Sequence, residues 1–314
     1  MPNFQGGRGT IRDMTSSLSA PATTTAFGAW FLAVRPKTLP AAVSPVLVGC
    51  AVAWAADGFH LGTAIAAFAV ALLLQIAANL ANDVADFRRG ADTAERLGPV
   101  RVTQSGLIRS ERITMATAVV LVLAAIPGIY LVWRGGPPLA GLGLLAMLAA
   151  VAYTAGPKPF GYLGLGEVFV FLFFGPVAVI GTAYVMTGAV SPLAVAASLP
   201  MGCLISAILV VNNLRDIDTD RAAGKHTLAV RMGREATRRE YAALVAVAYA
   251  VPLATVLMGL AAPWVLLSWI TAPLAMVLVR KVRTVPERAL NPVLGGTARL
   301  CLWFAIALSV GIVL

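Results

Sequence analysis

The sequence predicts an all-α, polytopic membrane protein, and three observations predict it. Of 314 residues, 59% are hydrophobic and only 12% are charged, about half the charge of a soluble globule. The apolar residues gather into runs without a single charge, at 38–56, 113–133, 135–157, 168–214, 241–279 and 300–314, where a membrane helix needs about 20 mostly apolar residues. The cationic residues sort almost wholly into alternate connecting segments. A mean hydropathy of +0.84 agrees.

Taken in chain order, residues 1–26 are rich in Gly, Ser and Thr and hold no apolar signal core. They read as a disordered cytoplasmic tail ahead of one intramembrane domain over 27–314. The runs 168–214 and 241–279 are too long for single spans, and turn residues divide them at Thr187 to Pro192 and at Ala261 to Pro263. With the apolar stretch before Asn82 added, nine transmembrane helices are expected, near 38–57, 62–82, 113–133, 138–155, 164–186, 192–212, 241–260, 263–280 and 294–314. Barrel strands would instead alternate over segments of about ten residues.

The net charge of +10 raises nucleic acid as a partner, and the positions of the charges exclude it. Of 24 Lys and Arg, only Arg134 falls outside the N-terminal segment and the stretches 83–112, 155–163, 213–240 and 280–299. This is the positive-inside pattern of a multi-pass protein in the cell (plasma) membrane, with the N-terminus and these loops cytoplasmic and the C-terminus outside. Cys50, Cys203 and Cys301 are scattered through apolar spans with no metal or redox spacing, so they read as packing residues.

Two acidic clusters interrupt this pattern, each at the end of a long apolar run. The first runs from Asn79 through Asn82, Asp83 and Asp86 to Gly90 and Asp92, and the second from Asn212 and Asn213 through Arg215, Asp216 and Asp218 to Asp220. An Asp in a membrane helix costs about 2.5–3.5 kcal/mol on insertion scales, so several at one level call for a cation. On a helix Gln75, Asn79, Asp83 and Asp86 share one face, and so do Asn212, Asp216 and Asp220. Carboxylates and amides in that number suit Mg²⁺, which is commonly held by one or two carboxylates plus substrate phosphate. The 83–112 and 213–240 loops continue with Gly, Arg and hydroxyl residues and would form a cytoplasmic cap over the bundle mouth, the whole suiting an amphiphile with a diphosphate head and a lipid tail. Asp218, Asp92 and Glu95 read equally well as caps or solvated loop residues, and Arg88, Arg89, Arg238 and Arg239 as headgroup contacts.

At these residues the sequence resembles the UbiA superfamily of intramembrane aromatic prenyltransferases, which carry an NDxxDxxxD-type motif and a DxxxD motif on a nine-helix bundle. Here the first motif has Gly90 at the position of its third Asp, with Asp92 two residues later. That form is similar to the branch that prenylates 1,4-dihydroxy-2-naphthoate in menaquinone synthesis, as are Arg35-Pro36-Lys37-Thr38, Tyr153-Thr154-Ala155-Gly156-Pro157, Gly161 to Glu167, and Asn212 to Arg231. The resemblance implies a polyprenyl diphosphate donor, a dihydroxynaphthoate acceptor and Mg²⁺ bound by Asn79, Asp83, Asp86, Asp216 and Asp220. It further implies that Arg101, Lys225 and Arg231 hold diphosphate oxygens, with Gln104 and Asn212 as additional polar contacts. Tyr153, Lys158 and Glu167, at the cytoplasmic ends of the fourth and fifth helices, are candidates to orient the naphthoate, or else an interfacial Tyr, a positive-inside Lys and a helix-start Glu.

Two other readings remain open. The acceptor could be another one, such as 4-hydroxybenzoate, within the same superfamily. A cation-coupled transporter would also place Asp in membrane helices, although it calls for charge near mid-bilayer or broken helices, whereas these acids gather at one face.

Overall fold

The structure, a computed structural model, describes residues 24–90, 98, 101–156 and 159–314. Its helices are α1 (Ala26–Val34), α2 (Leu39–Ala55), α3 (Leu61–Arg88), α4 (Ser110–Gly135), α5 (Pro137–Ala152), α6 (Gly166–Leu172), α7 (Ala178–Thr187), α8 (Pro192–Ala222), α9 (Leu228–Met232), α10 (Arg234–Leu257), α11 (Ala272–Thr284) and α12 (Asn291–Val313). The π-helical turn Phe173–Val177, which contains Pro176, joins α6 to α7 as one bent span. Proline has no amide hydrogen to donate, and a local widening of the helix accommodates it.

Eight helical segments among the described residues are long and apolar enough to cross a membrane, and the protein is a multi-pass membrane protein. The expected span at 138–155 is α5, a 16-residue apolar helix below that length. α1 begins at Ala26, the last residue of the expected tail.

The two acid-bearing helices differ most from expectation. The sequence places their ends at 82 and 212, where the apolar runs stop, yet α3 has 28 residues and continues to Arg88, and α8 has 31 and continues to Ala222. At 1.5 Å per residue these helices are about 42 and 46 Å long, well beyond a hydrocarbon core of about 30 Å. Their last turns therefore project past the core and carry both Asp clusters with them. Partners elsewhere in the fold, rather than hydropathy, hold those turns helical.

At the centre of the bundle α8 packs on α10, α12, α6 and α7, and Leu204, Val210, Val211 and Leu214 are fully buried. Close approach rests on glycine. A Cβ on Gly175 would lie 2.9 Å from the Cα of Gly202, and one on Gly202 would lie 2.7 Å from the Phe171 ring. Small residues at such crossings let helix backbones meet, which drives association where lipid is as apolar as leucine. The outer faces of α4 and α5 expose Val122, Ile126, Leu145 and Leu148, the inverse of a soluble surface. All three cysteines are buried and free.

Candidate active site

The last turns of α3 and α8 line one cavity of about 790 Å³. Its polar end is walled by Asn79, Asn82 and Asp86 from α3, by Asn212, Asn213, Asp216 and Asp220 from α8, and by Arg101, Tyr153, Tyr162 and Lys225 from the connecting segments. Its deeper part is apolar, with Leu74, Leu142, Met147, Phe169, Phe173 and Phe174 among the lining residues.

Asp86 is the hub of the polar end. It is 2% exposed, and it accepts hydrogen bonds from Arg101 Nη2 at 2.7 Å, Tyr162 Oη at 2.7 Å and Lys225 Nζ at 3.1 Å. Lys225 reaches it because α8 ends in a tight cap: Gly224 takes φ +70, and the Lys225 amide donates back to the Asp220 carbonyl at 2.8 Å. A left-handed residue in that place is the common glycine C-cap. The Lys225 ammonium thus stands 3.1 Å from Asp86 and 3.8 Å from Asp220, so a single cation bridges the two clusters.

Asp216 is held differently. Arg215, 2% exposed, donates Nε to Asp216 Oδ1 at 2.8 Å and Nη2 to Oδ2 at 2.6 Å, a two-pronged contact. The same guanidinium donates to the amide oxygens of Asn212 and Asn291. Three carboxylates of the cavity wall therefore lie among three cations, Arg101, Arg215 and Lys225, which keeps the buried charge compensated.

Not every expected residue faces the cavity. Asp83 points to the connecting segment, where its carboxylate accepts the backbone amides of Val102 at 3.3 Å and Thr103 at 3.0 Å, with Arg35 at 3.9 Å. Asn79 borders the cavity, but its amide nitrogen donates to the Val34 carbonyl and the Thr38 hydroxyl, both at 2.9 Å. Gln104 is half-buried on the 101–108 segment and is not part of the cavity wall. Arg231 is exposed on α9, its guanidinium stem packed over Gly164. Asp218 is exposed and pairs with Arg234 and Arg221. Lys158, Asp92 and Glu95 lie outside the described residues.

The structure adds residues that the sequence did not single out. Tyr162 donates to Asp86, and Lys225 Nζ at 4.7 Å and Arg89 Cζ at 5.0 Å from its centroid both lie over its ring, a cation–π arrangement with both charges. Arg89 also donates to the carbonyls of Thr154 and Gly156, and the Thr154 hydroxyl to Asn82, which ties the segment after α5 to the end of α3. Burial pushes the Tyr162 phenol above its ordinary range, and the Asp86 charge and hydrogen bond push it further. It therefore stays a neutral donor. Gly161 and Gly166 cradle the Tyr153 ring, since a Cβ on either would lie 3.0–3.2 Å from its atoms.

Residues 42–310 match the UbiA prenyltransferase family. The chain belongs to that family. Among similar proteins, the 1,4-dihydroxy-2-naphthoate octaprenyltransferase of Mycobacterium tuberculosis is 41% identical over 90% of this chain and 96% of its own length. The Escherichia coli protein of the same name is 37% identical over 91% and 95%. The fold is also that of a UbiA homolog from Archaeoglobus fulgidus solved bound to DMAPP and Mg²⁺, with a TM-score of 0.59 at 16% identity over 90% of this chain and 99% of that one.

The residues present fit Mg²⁺. Asp86, Asp216, Asp220, Asn82 and Asn212 offer only oxygen donors of the hard kind this ion prefers, beside nitrogen groups that bind phosphate. Among the described residues no three His, Cys, Asp or Glu converge into an all-protein metal cage. Mg²⁺ does not need one, because it keeps waters and takes substrate phosphate as ligands.

Proposed function

We propose that this protein transfers a polyprenyl group from an allylic polyprenyl diphosphate to 1,4-dihydroxy-2-naphthoate, releasing diphosphate and carbon dioxide and giving the quinol form of demethylmenaquinone, which becomes demethylmenaquinone on later oxidation. The observation that carries this is the single cavity in which acids from α3 and α8 meet Arg101 and Lys225 at one end and an apolar chamber begins at the other. The shared activity of relatives at 37–41% identity over nearly their whole length supports the acceptor.

Asp86, Asp216 and Asp220 would hold Mg²⁺ with the diphosphate, while Arg101 and Lys225 contact its oxygens. Bound there, the ion supplies charge that offsets the negative charge on the leaving diphosphate. Lys225, at 3.1 Å from Asp86 and 3.8 Å from Asp220, sets a cation beside the acids that would hold the ion. Tyr162 fixes Asp86 by its hydrogen bond, and Asp83 holds the 101–103 segment, which keeps Arg101 over the site. Fixed donors of this kind need no reorganisation as charge develops. The apolar part excludes water from the allylic cation left when the C–O bond breaks. The ring carbon bearing the carboxylate attacks that cation, and the carboxyl group then departs as carbon dioxide with its bonding electrons returned to the ring.

Nine crossings fit this site. The end of α5 lies at the Asp level, where Thr154 meets Asn82, so α5 acts as a short ninth crossing. The 101–109 and 223–233 segments would form the cap, on the cytoplasmic side of the plasma membrane by the positive-inside rule, with the domain over 27–314. Mass spectrometry of the product tests the reading. Purified protein in lipid, given Mg²⁺, a polyprenyl diphosphate and 1,4-dihydroxy-2-naphthoate, yields a prenylated naphthohydroquinone lacking the carboxyl group, detected as its quinone after oxidation in air. Turnover with 4-hydroxybenzoate and none with the naphthoate would overturn the acceptor.

A further inference from the structure

One buried acid close to this cavity has no part in the chemistry above. Glu167, at the start of α6, is 7% exposed and does not border the cavity. Its Oε1 accepts the amide nitrogen of Asn213 at 2.7 Å, its backbone carbonyl accepts from Ser206, and its Oε2 has no hydrogen-bond donor. Asn213, on α8, does border the cavity.

A carboxylate only accepts hydrogen bonds, whereas a carboxamide has one accepting and one donating end. The nitrogen of Asn213 faces Glu167 Oε1, and its oxygen faces away from it. That oxygen makes no hydrogen bond among the described residues, so the cavity wall presents an acceptor there. The same cavity also has an aromatic wall. Phe160 and Phe169 stack with centroids 4.2 Å apart and planes 3° apart, and Phe173 continues the stack at 6.3 Å. All three line the cavity.

We propose that Glu167 is a positioning residue which orients Asn213 so that the Asn213 amide oxygen accepts a hydrogen bond from a phenolic hydroxyl of the aromatic acceptor, whose rings lie along the Phe160, Phe169 and Phe173 wall. This rests on the dihydroxynaphthoate reading. In that acceptor the 1-hydroxyl is engaged by its own neighbouring carboxylate, so the 4-hydroxyl is the one that Asn213 takes. A site built to bind a hydroxyl rejects the analogue lacking it, because the protein group is then left unpaired.

The test compares 1,4-dihydroxy-2-naphthoate with 1-hydroxy-2-naphthoate as acceptors for the full-length protein in liposomes with Mg²⁺. The intrinsic difference in reactivity between the two is common to all variants, so a change in their kcat/KM ratio reports the contact. Glu167→Leu is expected to reduce the preference for the dihydroxy acceptor about tenfold, with the KM for polyprenyl diphosphate unchanged. Asn213→Leu is expected to do the same, and the double variant no more than Asn213→Leu alone. An unchanged preference in Asn213→Leu overturns the proposal even where Glu167→Leu is too unstable to assay. So does a Glu167→Leu that loses both acceptors and the diphosphate substrate alike. Absence of product from the wild type with the dihydroxy acceptor would instead refute the acceptor reading itself, whereas product with an unmoved preference refutes only the role of this pair.

Discussion

Replacing Tyr162 by Phe removes one hydroxyl and keeps the ring beside Arg89 and Lys225. The lost bond is the 2.7 Å donation to Asp86 Oδ1, in a site where Asp86 is 2% exposed. A hydrogen bond to a charged group contributes about 1.5–3 kcal/mol, which at about 1.4 kcal/mol per tenfold corresponds to roughly 10- to 150-fold. Arg101 and Lys225 still hold the same carboxylate, so the low end applies, and kcat/KM for polyprenyl diphosphate is expected to fall about tenfold. Tyr162→Leu, which also removes the ring, falls further by the cation–π share of about 0.5–1 kcal/mol or more. The assay is the initial rate of prenylated product in proteoliposomes with Mg²⁺. A Phe variant within about twofold of the wild type would refute the place given to Tyr162.

Other outcomes follow from the same geometry. Because burial and Asp86 raise the Tyr162 phenol above its ordinary range, its neutral, donating form persists as pH rises. The wild-type to Tyr162→Phe rate ratio should then stay level up to about pH 10, and a ratio collapsing below that pH would contradict the shift. Asp83→Ala removes the acceptor of the Val102 and Thr103 amides, so hydrogen exchange at those two amides should speed up while the core of α8 keeps its protection. Gly202→Ala forces a Cβ to within 2.7 Å of Phe171, and thermal unfolding in detergent should show a loss of about 1–3 kcal/mol. Gly141→Ala, with open space around it on α5, should instead leave stability equal or higher by up to about 1 kcal/mol.

Much of the site was legible because membrane energetics and helical register are both local signals. Acids are so disfavoured beside apolar runs that Asp86, Asp216 and Asp220 stand out, and their spacing alone puts them on helix faces that do line one cavity. Register did not reveal the direction of Asp83, which is settled by the amides of residues 102 and 103 across a loop. Tyr162 lies 76 residues from Asp86 in sequence, and no periodicity connects them. Arg231 shows the opposite failure, where a basic residue in the right loop is exposed on α9. Hydropathy also ended α3 and α8 too early, because beyond the apolar runs these helices are tied to other elements by polar contacts, Asp86 with Arg101 and Arg215 with Asn291, that carry no apolar signature.

The central claim is that the acids of α3 and α8 serve one diphosphate in one site. The most direct test is the rate of diphosphate release by Asp86→Asn, Asp216→Asn and the double variant, with Mg²⁺ present. Residues that act as a unit are strongly non-additive. Each single variant is expected to lose at least about a hundredfold, with the double variant no slower than the worse single one. Near-normal rates in either single variant, or losses that multiply in the double, would contradict a single shared site.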